Sequence, residues 1–140
     1  MANAGGLLLG RRTYEDFYSV WPKRKESPYS SYMDSVQKYV ASRTLKEPLP
    51  WQNSTLLGDD LVNALTELKK RQDKDLVIMG SGELIRSLMP DKVIDEFVLL
   101  IHPLVLGQGR RLFAVSVHRP RDKVPRARAV SCRGRERDRS

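Results

Sequence analysis

The sequence predicts an α/β domain with a mostly parallel central sheet. Short apolar runs of strand character alternate along the chain with amphipathic segments of helical spacing, which is the pattern of this fold class. Residues 97–101 are apolar at every position, as expected for a strand in a sheet that helices cover on both faces. The 140 residues, 40% of them hydrophobic, suffice for one modest core.

The first predicted elements are a strand and a helix. Residues 7–10 form a short apolar run that indicates a buried strand. Thr13 is the predicted N-cap of the following helix, because Asp16 lies three residues further on, as in a capping box. Pro22 is expected to end this helix. Its predicted buried face carries Tyr14, Phe17, Tyr18 and Trp21.

A polar loop and two further strands follow. Residues 23–35 are predicted to form the loop, with a short helical turn at residues 32–36. Residues 38–42 and 54–57 have the composition of strands. Asp59 or Asp60 is expected to cap the next helix, whose apolar face carries Leu61, Leu65 and Leu68.

The most informative motif lies at residues 76–89, where an apolar strand passes through a glycine turn into an amphipathic helix. Gly80 and Gly82 allow a sharp turn and let a ligand approach the backbone. The N–H groups at the start of such a helix can bind a phosphate. Many α/β proteins use glycine here for packing alone, so the motif by itself leaves both interpretations open.

The net charge of +8 is concentrated at the C-terminus. Residues 114–140 contain nine basic and three acidic residues, which account for six of the eight positive charges. This distribution argues against a nucleic-acid-binding face on the domain itself, although binding of nucleic acid through the basic segment remains an alternative. We predict a folded α/β domain at residues 1–113 and an arginine-rich tail at residues 114–140, largely disordered from residue 119 onward.

Cysteine, histidine and hydropathy exclude several classes of site. Cys132 is the only cysteine, so a disulfide framework and a cysteine-based metal site are excluded, and a reducing cytoplasm is the expected compartment. His102 and His118 lack partners at ligand spacing, and no metal is expected. The apolar run at residues 6–10 is far too short for a membrane span or signal peptide, so no membrane association is expected.

Small and basic residues follow three of the predicted strands. They are Gly10, Arg11, Arg12 and Thr13; Ser42, Arg43 and Thr44; and Gly80, Ser81, Gly82 and Glu83. The carboxyl ends of parallel strands share one edge of a sheet, where α/β proteins bind nucleotides. Arginine makes bidentate hydrogen bonds to phosphate, whereas hydroxyls and helix N-termini supply neutral donors. A ligand with several phosphates is therefore plausible, the alternative being that the arginines are solvated charges at loop ends.

Residues 7–113 resemble the dihydrofolate reductase-like superfamily, and most closely the C-terminal reductase domain of the bifunctional riboflavin biosynthesis protein. The matching segments are LLLGRRTYEDF, KYVASRTL, LVIMGSGELIRSLM and DEFVLLIHPLVLGQGRRLF. The resemblance implies a three-layer α/β/α sandwich and NADPH as the cofactor. It also implies hydride transfer to a pterin-like or ribosylaminopyrimidine-like small molecule, and a homodimer.

The resemblance also implies roles for the residues at the three strand ends. Residues 10–13 would contact the phosphates of the cofactor, and residues 42–44 would bind the adenosine 2′-phosphate, which favours NADPH over NADH. The pyrophosphate would lie against Gly80, Ser81, Gly82, Glu83 and Leu84. The glycine loop at residues 106–109 is a candidate contact for nicotinamide or substrate, or an ordinary turn.

The chain is expected to contain only part of this fold. Relatives carry a strand and a helix before the segment that matches residues 7–10, and further sheet strands after the segment that ends at Phe113. The predicted fold is therefore an incomplete version, and most of the substrate side is expected to be missing. A catalytically silent NADPH-binding or oligomerisation module is the alternative function.

Overall fold

The structure is a computed structural model that describes residues 4–24, 27–102 and 104–113, and the backbone of residues 126–131. The chain divides into two compact units, Met1–Val93 and Ile94–Ser140. This division falls earlier in the chain than the domain boundary predicted after Phe113.

The first unit contains a four-stranded parallel sheet, which confirms the predicted fold class. Its strands are β1 (Ala4–Gly10), β2 (Lys38–Ala41), β3 (Ser54–Leu57) and β4 (Asp75–Ile78). They lie in the order β3-β2-β1-β4, and each neighbouring pair is parallel. Along the chain, β2 and β3 are therefore added in turn on one side of β1, and β4 is then added on the other side of β1.

Helices connect or follow these strands. They are α1 (Arg11–Val20), α2 (Pro28–Ser35), α3 (Leu61–Arg71) and α4 (Gly82–Leu88), with a short 3-10 helix at Trp21–Lys23. The connections from β1 to β2 and from β3 to β4 run in opposite directions across the sheet. Because such connections are right-handed, α1 and α2 cover one face and α3 covers the other.

The side chains of β1 divide the core into two layers. Leu7, Leu8 and Leu9 are completely buried, and successive residues of a strand point to opposite faces. Leu7 and Leu9 belong to a cluster with Tyr14 of α1 and Met33 of α2. Leu8 lies on the opposite face of the strand. Buried leucines that do not belong to the first cluster are Leu57, Leu65, Leu84 and Leu88.

The start of α1 and the extent of α2 differ from the prediction. Helix α1 begins at Arg11 with Gly10 as its N-cap, so the prediction of Thr13 as the cap is wrong. Helix α2 occupies Pro28–Ser35, where we expected a loop with a helical turn at residues 32–36. The Ser27 hydroxyl accepts the Tyr29 N–H, and Pro28 has the backbone angle of a first helical residue, so these two residues start the helix earlier.

A buried lysine closes the C-terminal end of α2. Lys38 is completely buried, and its Nζ donates to the carbonyl oxygens of Met33 and Val36, at 2.8 Å each. Its ammonium group also lies 4.5 Å from the ring centroid of Trp51. These carbonyls have no partner within the helix, so Lys38 satisfies groups that would otherwise be buried without a hydrogen bond.

Trp51 links this lysine to α1. Its indole Nε1 donates to Asp34 Oδ1 at 2.7 Å, and its backbone N–H donates to the Tyr14 hydroxyl at 3.0 Å. The Trp51 ring also packs against Tyr14 and Tyr18, with centroids 6.0 Å and 6.2 Å away. One residue in the β2–β3 connection thus holds α1 and α2 in place.

At the outer edge of the sheet, on β3, an acidic side chain accepts a hydrogen bond from a backbone N–H. The Leu56 N–H on that edge donates to Glu47 Oε1 at 3.1 Å. An unpaired strand edge can pair with a strand of another chain. A carboxylate that accepts a hydrogen bond from an N–H of this edge opposes such pairing.

The second unit contains two parallel strands, β5 (Glu96–Ile101) and β6 (Arg126–Ser131). Strand β5 is shorter than the predicted residues 93–102, and Val98 and Leu100 are each 64% exposed, so the expectation that both faces are covered is wrong here. Strand β6 lies within the predicted disordered tail, and this expectation is therefore wrong for its six residues. Their backbone pairs with β5.

We expect the stability of the protein to report the titration of Lys38. Burial lowers the pKa of Lys38 from 10.5 to about 8, although nearby Asp34 opposes the shift. Between these two values the unfolded chain binds more protons than the folded one, so the free energy of unfolding rises with pH. Urea unfolding from pH 7.5 to 10.5 measures the free energy of unfolding of the wild type and of Lys38→Met. The gap between these two free energies should shift in favour of the wild type as pH rises. A gap that is independent of pH would contradict the lowered pKa.

Candidate functional site

The candidate site lies at the carboxyl ends of β2, β1 and β4, which are neighbours in the sheet. All three predicted segments, residues 10–13, 42–44 and 80–83, follow these strand ends and therefore share one edge of the sheet. The strands β2 and β3 are added on one side of β1, whereas β4 is added on its other side, so the order of strand addition reverses between β1 and β4. Such a switch point leaves a crevice between the connections to opposite faces, and ligands of open α/β sheets bind there.

Two glycines allow the ends of β1 and β4 to approach each other. The Gly10 N–H donates to the Gly80 carbonyl oxygen at 3.0 Å. A Cβ on Gly10 would lie 3.1 Å from Ser81 Oγ, and one on Gly80 would lie 3.2 Å from Thr13 Oγ1. Gly80 also has a φ of +130°, which L side chains rarely adopt, and the peptide bond that joins it to Ser81 is cis. The positive φ favours glycine at position 80, and at both positions a Cβ would require a neighbouring hydroxyl to shift.

The N-terminus of α1 is suited to an anion. Its cap, Gly10, contributes no side-chain hydrogen bond, and the first turn contains no acidic residue. The first N–H groups of a helix have no acceptor within the helix and form its positive end. Arg11 and Arg12 are exposed beside them, with Arg11 3.9 Å from Glu15 in an exposed ion pair. Thr13 lies in the first turn, against Gly80.

The turn after β4 places the start of α4 beside that of α1. Ser81 caps α4, and its Oγ accepts the Leu84 N–H at 3.4 Å. Gly82 and Glu83 are exposed in the first turn. Leu84 is buried and its N–H is engaged by Ser81, so these contacts give Leu84 a packing role, where the resemblance implied a cofactor contact.

The segment after β2 is held by the hydroxyl of Ser42. Ser42 Oγ accepts the N–H groups of Thr44 at 3.1 Å and Leu45 at 3.0 Å, and it lies 3.3 Å from Thr44 Oγ1. Arg43 is exposed between them, and within the described part of the chain its side chain makes no ion pair. The turn therefore presents one guanidinium group and two hydroxyls at the edge of the sheet.

Other candidates from the sequence belong to the second unit or lie outside the described residues. The glycine loop at residues 106–109 belongs to the second unit, where Gly107 and Gly109 have φ values of +72° and +151°. Cys132 and His118 lie outside the described residues. The residues that the structure describes contain no group of three or more His, Cys, Asp or Glu side chains that could hold a metal ion. None of their helices has the length and apolar character needed to cross a membrane.

Sequence reasoning missed two features of the first unit. It did not identify Lys38 as a buried group, because a lysine at the start of a strand is ordinarily exposed. It also did not include the residues after β3, Gly58, Asp59 and Asp60, which share the carboxyl edge with the three predicted segments. Their position at the end of a parallel strand is a signal that could have identified them.

The parallel sheet and the glycine turns at its switch point define an α/β domain of the dihydrofolate reductase-like fold. The chain belongs to the RibD C-terminal domain family, whose family model matches residues 1–133. This match extends beyond Phe113, where the resemblance identified from the sequence ends.

Individual relatives agree with this assignment. The chain is 32% identical over 111 residues to YyaP and 29% identical over 109 residues to YwjB, both of Bacillus subtilis (strain 168). Each match covers 76% of the chain, and 58% and 57% of the two relatives. The crystal structure of the "Putative riboflavin biosynthesis protein" from Shewanella sp. PV-4 is similar with a TM-score of 0.56 and 26% identity, covering 79% of this chain and 59% of that one. The chain thus spans less than two thirds of the length of these proteins.

We expect Gly80→Ala to destabilise the first unit. A Cβ at this position combines an unfavourable positive φ with a contact 3.2 Å from Thr13 Oγ1, and the cost should be about 1–3 kcal/mol. Gly58→Ala is the matched control, because no atom lies within 4 Å of its added Cβ, and it should change stability by less than about 0.5 kcal/mol. Urea unfolding of both variants measures the difference, and equal effects would contradict the close approach.

Proposed function

We propose that the chain is the nucleotide-binding part of an NADPH-dependent reductase of the riboflavin biosynthesis type. The observation that carries the proposal is the contact between Gly10 and Gly80, which brings the N-termini of α1 and α4 together at the switch point. The N-terminus of α1 has no side-chain cap and no acidic residue in its first turn, so its N–H groups can accept a phosphate, and the glycine turn that leads to the Ser81-capped α4 lies beside it.

The residues at the turn fit the phosphates of this cofactor. The backbone N–H groups at the start of α1, with Arg11 and Arg12 beside them, would bind one phosphate, because no side chain caps this helix. Gly80, Ser81, Gly82 and Glu83 would hold the other through their backbone. Glycine at positions 10 and 80 keeps the approach open.

The turn after β2 fits the 2′-phosphate that distinguishes NADPH from NADH. Ser42 Oγ already accepts the Thr44 and Leu45 N–H groups, so these amides are not available to a ligand. The guanidinium of Arg43 would supply donors, together with the proton of whichever hydroxyl, Ser42 or Thr44, accepts in the hydrogen bond between the two. Arginine is suited to this role because its planar group makes paired hydrogen bonds to phosphate.

The cofactor, when bound, would supply a hydride from the nicotinamide ring to a carbon of the substrate. The chain would bind and orient it, and no acid or base side chain is assigned to the reaction. We propose a pterin-like or ribosylaminopyrimidine-like substrate, in agreement with the name of the Shewanella neighbour. A homodimer in the cytoplasm completes the proposal.

One observation favours a second candidate, a nucleotide-binding module that assembles with other chains without catalysis. The second unit exposes large apolar side chains, which are Val98, Leu100, Ile101, Leu104, Val105 and Leu106. Apolar patches of this kind mark interaction surfaces. This candidate agrees with NADPH binding and differs in having no hydride transfer.

We expect NADPH to stabilise the protein more than NADH does. A ligand that binds only the folded state raises the melting midpoint according to its affinity and concentration. A thermal melt with an excess of each nucleotide measures this stabilisation. An assay of NADPH oxidation at 340 nm, with ribosylaminopyrimidine and dihydropterin substrates, then separates the reductase from the non-catalytic module. Stabilisation without oxidation would favour the module, whereas no stabilisation by either nucleotide would contradict both.

We expect Arg43→Ala to weaken NADPH binding by about 1.5–3 kcal/mol, the range for hydrogen bonds to charged groups. Binding of NADH should change little, because NADH lacks the 2′-phosphate. Arg71→Ala is the matched control, since Arg71 is exposed at the end of α3, away from the carboxyl edge of the sheet. Titration calorimetry with both nucleotides provides the comparison, and equal losses for NADPH and NADH would exclude the proposed role of Arg43.

A further inference from the structure

The carboxyl end of β3 lies beside the turn that carries Arg43. Strands β2 and β3 pair in parallel, and their last paired residues are Ala41 and Leu57. Arg43 and Asp59 each follow two residues after this pair, which neighbouring strands hold about 4.8 Å apart. A guanidinium group and a carboxylate therefore leave the sheet from adjacent strands at the same edge.

The two aspartates after β3 have different roles. Asp60 is the N-cap of α3: its Oδ1 accepts the Asn63 N–H at 3.2 Å, and its Oδ2 accepts from the side chain of Asn63. Asp59 is exposed and makes no hydrogen bond or ion pair with the described residues. Its carboxylate is thus not needed by the helix cap.

Arg43 and Asp59 also do not neutralise each other. Within the described residues neither side chain takes part in an ion pair, although they follow paired strand ends. Both charges are therefore available to a ligand at this edge. They would act in opposite directions on a 2′-phosphate, which Arg43 attracts and a carboxylate repels.

We propose that Asp59 determines cofactor specificity by opposing Arg43, so that the site accepts NADH as well as NADPH. This inference rests on the proposed function, because it concerns the same nucleotide site. A carboxylate at the end of a parallel strand accepts hydrogen bonds from the hydroxyls of a ribose, which suits the 2′-hydroxyl of NADH. The preference for NADPH that Arg43 provides is reduced by the charge of Asp59.

The test compares the affinities of NADPH and NADH for the wild type, Asp59→Asn and Asp73→Asn. Removal of one charge near the 2′-phosphate should raise the ratio of NADPH to NADH affinity about fivefold in Asp59→Asn at low salt, and less at high salt. Asp73→Asn is the matched control, because Asp73 is exposed in the turn between α3 and β4, at the amino edge of the sheet, and it should leave the ratio unchanged.

The outcomes separate this inference from the proposed function. If both nucleotides bind to the wild type and Asp59→Asn leaves their ratio unchanged, the role of Asp59 is overturned while the proposed function stands. If neither nucleotide binds to the wild type, both are overturned. If Asp59→Asn does not unfold cooperatively, Asp59→Ser serves to measure the same ratio of NADPH to NADH affinity. An increase that is also seen in Asp73→Asn would assign the effect to overall charge and overturn the specific role.

Discussion

The ends of β1 and β4 approach each other closely at Gly10 and Gly80, where an added Cβ would lie 3.1 Å from Ser81 Oγ and 3.2 Å from Thr13 Oγ1. The hydrogen bond between these two glycines joins the ends of two neighbouring strands, and α1 and α4 begin directly after these ends. The position of Thr13 against Gly80 and of Ser81 against Gly10 follows from the same contact. A Cβ at either position would have to displace a neighbouring hydroxyl group at the start of the other helix, so the local geometry of the candidate site depends on these glycines.

A second set of contacts holds the covering helices in place on one face. Trp51 binds the Tyr14 hydroxyl through its backbone and Asp34 through its indole, while Lys38 closes α2 beneath the indole ring. This arrangement uses polar groups at buried positions, each with a partner, so its desolvation cost is offset by hydrogen bonds. It connects residues far apart in sequence, and the start of α1 at the candidate site is thereby tied to the β2–β3 connection.

Much of the fold could be predicted from the sequence, because hydrophobic periodicity and glycine turns are local signals. Strands at residues 7–10 and 54–57 and the turn at Gly80 are examples. The buried role of Lys38 and the anchoring role of Trp51 could not be predicted, because they depend on contacts between distant segments. The predicted N-cap of α1 was wrong. Thr13 with Asp16 three positions later fits a capping box, but the helix begins at Arg11 with Gly10 as its N-cap. The pairing of residues 126–131 with β5 is also non-local, and composition alone favoured disorder.

The carboxylate of Glu47 at the outer edge of β3 has a consequence for how the sheet can be extended. A strand that added there would have to displace this carboxylate from the Leu56 N–H. The other edge of the four-stranded sheet is β4. Pairing of a further strand with β3 therefore competes with an existing charged hydrogen bond, which disfavours extension of the sheet at that edge.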